Sequence, residues 1–218
     1  MTKMIDKQEE HLKNLGEIRS LMERSSRFIS LSGLSGVSAG VLALIGAAFA
    51  YVYMGVVPFD STKIFYLEAV SSGKWGLDHR SFFLLDSGLV LVLALACGIF
   101  FTTRKAKRKG QKIWDKLVVK LLVSLAIPLA IGALFCVALL HHGLAYLIAP
   151  TTLIFYGISL INGSKFTLRD IYYLGITEVV LGLIAMFVPR YGLDFWAIGF
   201  GVLHIVYGLL MWVKYEKA

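Results

Sequence analysis

Two ionisable residues stand deep inside apolar sequence, where a charge is expensive. Glu178 lies within the run 171–188 and His204 within the run 195–213, and each is thirteen positions from Tyr191. An antiparallel helical hairpin turning at Tyr191 therefore places the two at one depth, facing each other. Tyr207 follows His204 by almost one helical turn and shares nearly the same face. An unpaired charge in a hydrocarbon core costs about 2.5–3.5 kcal/mol even on the most lenient scale, so a Glu178 to His204 hydrogen bond would satisfy two groups at once. Two readings stay open. The pair fixes helix register, or it is a site where a carboxyl and an imidazole take up and release a proton.

A second group sits near one end of the spans. Asp86 lies about one turn inside its apolar run, within reach of Arg80, Arg190 or His141, and the four form an expected polar cluster. His79, His141 and His142 approach the same surface, yet their spacing matches no metal-ligand pattern. Adjacent histidines also point to different faces of a helix. No serine or cysteine has a base at recognisable spacing. The sequence thus predicts no catalytic residue, no metal and no cofactor. An intramembrane metal-dependent enzyme is the least supported of three functional readings.

The elements that must hold these residues are six apolar runs, at about 28–53, 82–101, 117–140, 144–161, 171–188 and 195–213. Each is long enough to cross a hydrocarbon core of about 30 Å. Hydrophobic residues make up 57% of the 218-residue chain, and the mean hydropathy is +0.73, an excess that has to face lipid. The expected fold is an all-α, six-span membrane bundle of three helical hairpins. Residues 1–27 precede it and 214–218 form a tail. The first run is too long, and its charged leader too extended, for a cleaved signal peptide, despite the Ala48-Phe49-Ala50 triplet.

Charge placement sets the expected orientation. The chain carries a net +8, and eighteen of its 22 lysines and arginines fall on one side of the bundle, leaving only Lys63, Lys74, Arg80 and Arg190 on the other. By the positive-inside rule both termini face the cytoplasm, as expected of a protein of the bacterial cytoplasmic membrane. The joint 104–116, with Arg104, Lys105, Lys107, Arg108, Lys109, Lys112 and Lys116, lies against anionic headgroups, which makes membrane lipid the partner and not nucleic acid.

Finer signals concern packing. Residues 1–27 repeat Ile5, Leu12, Leu15, Ile18 and Met22 at helical spacing with balanced charges between. They predict an amphipathic helix that docks on protein, either a second copy or the bundle itself. Ser32, Gly36 and Gly40 form a small-residue groove for close helix approach, inside the bundle or at a homo-oligomer seam. Pro128 and Pro150 fall inside the third and fourth spans and predict kinks, with Thr151 and Thr152 placed to satisfy freed carbonyls. Cys97 and Cys136 lie at different depths and read as buried small apolar residues. The outer joint 54–81 holds a short helix candidate around Phe65, Tyr66, Leu67 and Val70, as an interfacial helix or a lid.

Spans three to six repeat faintly. Gly143-Leu144-Ala145-Tyr146 and Gly192-Leu193-Asp194-Phe195 open returning helices that reach Tyr156-Gly157 and Tyr207-Gly208. The segment LGITEVVLGLIAMFVPRYGLDFWAIGFGVLHIVYGLL, with its early glycine, its proline at the turn and its glycine-bearing return, resembles the hairpin repeat of the HdeD-like family of small bacterial membrane proteins. That resemblance implies a link with acid-stress resistance, and the expected function is that of a non-enzymatic membrane-stress or regulatory component acting through protein contacts. The competing expectation is a proton-coupled transporter or channel using Glu178 and His204. For topology, a cytoplasm-active reporter inserted at Gly110 should be active and one inserted at Gly143 silent, and a periplasm-active reporter should give the reverse.

Overall fold

The computed structural model describes residues 32–60, 74–108, 110 and 114–217. Six helices, each long and apolar enough to cross a membrane, follow one another: α1 Gly33–Met54, α2 His79–Arg108, α3 Lys116–His141, α4 Ala145–Phe166, α5 Arg169–Phe187 and α6 Pro189–Tyr215. Among the described residues there is no strand, only an isolated bridge between Lys74 and Leu77. The all-α class has a simple cause. In hydrocarbon every backbone N–H and C=O must be satisfied within the segment, and a helix does so. The amphipathic segment 1–27 and the helix candidate around Phe65 lie outside the described residues.

The helices overrun the apolar runs. α2 continues to Arg108 because Lys105, Lys107 and Arg108 complement the negative end of the helix dipole in its last turn. At its start the backbone amides of Arg80 and Ser81 donate to the Asp78 carboxylate. The Ser81 hydroxyl and these amides hold that carboxyl below its usual range. This contribution is present above the ordinary carboxylate range and fades as pH falls through the lowered value.

Packing departs from three equal hairpins. α1 packs on α2 and α3 on α4, whereas α5 packs chiefly on α4 and α6 chiefly on α1. Glycine explains both of the latter crossings. A methyl group at Gly40 would lie 2.6 Å from the Gly201 carbonyl oxygen, and one at Gly208 would lie 2.6 Å from the Val37 nitrogen. Between α4 and α5, a methyl at Gly157 would lie 2.6 Å from the Gly175 oxygen, and the converse distance is 2.7 Å. Backbones this close gain dispersion contacts that no larger residue permits. The groove of Gly36 and Gly40 thus serves an internal contact with α6. Ser32 lies just before the helix, and its hydroxyl donates to Glu216.

Glu216 closes one end of the bundle. Its carboxylate accepts from the Gly33 amide at 2.6 Å and from the buried Lys105 ammonium at 3.2 Å, so α1, α2 and the end of α6 share one acceptor. At the opposite end, buried Asp194 accepts from the Tyr51 hydroxyl at 2.7 Å and the Phe59 amide at 2.9 Å. There Tyr53 stacks on Phe82 with ring centroids 3.7 Å apart and donates to the Leu77 carbonyl.

Two sequence expectations change. Pro150 stands in the first turn of the regular α-helix Ile148–Gly163, after a 3-10 turn over Ala145–Leu147, where its missing N–H is no loss. Pro128 does lie within α3, and Ser159 of α4 donates at 2.8 Å to the Leu125 carbonyl in the turn before it. Cys97 and Cys136 are free and only partly buried. Substituting Gly208→Val should separate α1 from α6 and destabilise by about 1–3 kcal/mol, as overpacking does. Gly98→Ala, which meets open space, should leave the melting temperature unchanged or raised. Thermal unfolding of both variants in detergent checks this.

Candidate functional site

α5 and α6 bring Glu178 and His204 to one depth, and α4 adds a third member. Glu178 is fully buried and His204 is 6% exposed. The His204 Nδ1 lies 3.5 Å from Glu178 Oε1. It is hydrogen-bonded elsewhere, to the Gly199 carbonyl oxygen at 3.0 Å, while Nε2 meets the Tyr156 hydroxyl at 2.7 Å. A carbonyl only accepts, so Nδ1 carries the hydrogen. In the neutral ring Nε2 then accepts from Tyr156. Both imidazole nitrogens are satisfied without Glu178. Among the described residues neither Glu178 oxygen has a hydrogen-bond partner, and the buried Thr151 hydroxyl also has none.

Local backbone geometry creates this arrangement. α6 is not a regular α-helix, because Ala197–Leu203 forms a π-helical segment between the α-helical turns Gly192–Trp196 and His204–Tyr215. Such segments are rare and concentrate at functional sites. Gly199 lies within it, where a methyl group would sit 2.5 Å from Glu178 Oε2 and from Leu153 Cδ2. Glycine here leaves exactly the room the carboxyl occupies. Trp196, Phe200 and His204 stack in series along α6, with centroids 5.1 and 5.9 Å apart, and Tyr156 packs on Phe200 at 4.9 Å.

The expected partners differ from those found. Tyr207 packs beside the apolar cluster of Leu160, Leu168, Ile171, Leu174 and Met211 instead of continuing the polar site. Tyr156, whose only signal in the sequence is the repeated Tyr-Gly pair, takes the place beside His204. The cluster of Asp86 with Arg80, Arg190 and His141 does not assemble. Among the described residues no ion pair joins them, and the Asp86 carboxylate faces Gly46 of α1, with oxygens 3.5 and 3.6 Å from where a methyl group would stand. His141 packs edge-on against His142. Among the described residues no group of three or more His, Cys, Asp or Glu side chains is placed to hold a metal ion.

Chemically, the site is a series: the Tyr156 hydroxyl, the two imidazole nitrogens, then the Glu178 carboxyl. Such a series has the groups for a proton relay: a proton added at Nε2 would free the one on Nδ1, and Glu178 Oε1, 3.5 Å away, would be the acceptor next to it. Six apolar helices around such a site define the class as a multi-pass membrane protein. Comparison with family models, with curated proteins and with solved structures gives no match.

Two variants probe the geometry. Tyr156→Phe and His204→Ala, made singly and together, should show a coupling of about 0.5–1.5 kcal/mol in unfolding measurements, the contribution of one hydrogen bond. Gly199→Ala should displace the Glu178 side chain and lower stability, whereas Gly88→Ala, open to its surroundings, should not.

Proposed function

We propose that this chain is a non-enzymatic multi-pass protein of the bacterial cytoplasmic membrane in which Tyr156, His204 and Glu178 take up and pass on a proton, as in a proton-coupled transporter or channel. One observation carries the reading: a fully buried carboxyl whose two oxygens meet no hydrogen-bond partner among the described residues, 3.5 Å from an imidazole that is itself bonded to a tyrosine. A pair serving only to fix register would spend those oxygens on hydrogen bonds, since an unmade bond in hydrocarbon is costly. A protonated Glu178 beside a neutral His204 carries no net charge. Loss of that proton, or gain of another, leaves a bare charge in a low-dielectric interior, which opening to water relieves. Proton occupancy and helix movement are thereby coupled.

The second reading is a membrane-stress or regulatory component acting through protein contacts. The apolar packing of Leu153 and Leu181 at Gly199, beside the carboxyl, favours it, and it agrees with the HdeD-like resemblance of the last hairpin. Its contacts would run through residues 1–27, to a second copy or a cytoplasmic protein. Under either reading the eighteen-to-four division of cations supports cytoplasmic termini and anionic headgroups beside 104–116.

Proton flux into proteoliposomes under an imposed pH gradient tests the proposal. The native protein should dissipate the gradient, Glu178→Gln should fall to the protein-free rate, and Tyr156→Phe should be slowed tenfold or more, all three melting cooperatively. Absence of flux in folded native protein, or equal flux in native and Glu178→Gln proteins, would transfer the assignment to the regulatory reading.

A further inference from the structure

Independently of the proton site, the geometry points to a binding site for an anionic phospholipid at the flank between α2 and α3, with its phosphate against Lys116 and Lys120. α2 and α3 are consecutive and joined by only the seven residues 109–115, yet they do not pack along each other; α2 lies on α1 and α3 on α4. They are also the two least buried spans, with 6% and 17% of their apolar windows inside the bundle. Exposed Leu91, Leu95 and Ile99 on α2, and Val119, Leu122 and Val123 on α3, supply apolar surface on the two helices for acyl chains.

The polar rim is what singles this flank out. An open groove of about 570 Å³ is lined by Trp114, Asp115, Lys116, Val119 and Lys120. Arg104, Lys107 and Arg108 end α2 on the same face of the bundle, and all five of these basic side chains are exposed. Among the described residues none of the five forms an ion pair, in contrast to Lys105, which is engaged by Glu216. The one carboxylate in the groove, Asp115, accepts from the Lys116 amide at 2.6 Å and caps α3. A cationic rim over apolar walls, with the exposed Trp114 indole beside it, is complementary to a phosphate on two acyl chains.

The test uses purified, delipidated full chain in a neutral detergent, with phosphatidylglycerol, phosphatidylcholine and inorganic phosphate added separately. Phosphatidylglycerol should raise the melting temperature and stay bound in native mass spectra, and the other two should do neither. Lys116→Gln with Lys120→Gln should raise the half-saturating phosphatidylglycerol concentration about tenfold or more, since each surface cation adds on the order of 1 kcal/mol. Lys165→Gln with Lys217→Gln, an equal change of charge on the same face, should leave it unaltered. Equal binding of the two lipids, replacement of lipid by inorganic phosphate, or equal loss in both double variants overturns the proposal. Mass spectra are read on the folded fraction, so lowered stability of a variant does not obscure the result.

Discussion

The backbone contact between the first and last spans is the constraint on which the rest of the bundle depends. Lipid offers no hydrophobic drive for two apolar helices to meet, so α1 and α6 associate through closeness, and closeness requires Gly36 and Gly40 facing Gly201 and Gly208. With α6 held on that side, its other faces turn toward α4 and α5. His204 then reaches Tyr156, and Gly199 opens the space in which Glu178 ends. The π-helical segment is part of the same solution. An extra residue between Ala197 and Leu203 lets one helix satisfy two different neighbours, α1 along one length and the Glu178 site along another.

Within the site, the imidazole is fully satisfied and the carboxyl is not. That asymmetry distinguishes it from a buried ion pair whose partners saturate each other. Tyr156 and Gly199 set the histidine's tautomer and orientation, which leaves Glu178 as the member of the site whose oxygens no described residue engages by a hydrogen bond. The two ends of the bundle are tied more conventionally. Asp194 and Glu216 each collect donors from two or more elements, and each is an acidic residue placed against backbone amides.

The parts of this arrangement legible in sequence were those governed by length and by symmetry of spacing. Six apolar runs gave six spans, and equal distances from Tyr191 put Glu178 and His204 level. What was not legible depended on rotation of one helix against another. Tyr207 was the natural partner because it lies on the same helix. Tyr156 competes for that position only once the Gly157 and Gly175 crossing fixes how α4 presents its faces. Depth alone pairs Asp86 with cations, but its carboxylate lies beside Gly46 at the seam between α1 and α2. Sequence alone places Glu216 in the tail 214–218. Its signal was the absence of any acidic residue in the first turn of α1, whose positive end needed a carboxylate from elsewhere.

The contact between α1 and α6 also sets an order of assembly. About 135 residues separate the end of α1 from the start of α6. At roughly 5–20 residues per second, α1 waits on the order of ten seconds in the membrane for its principal partner. During that interval its glycine face is open to lipid, to α2, or to the glycine faces of other unfinished chains. Fidelity of biogenesis therefore rests on α2, which reaches α1 first and packs on a different side.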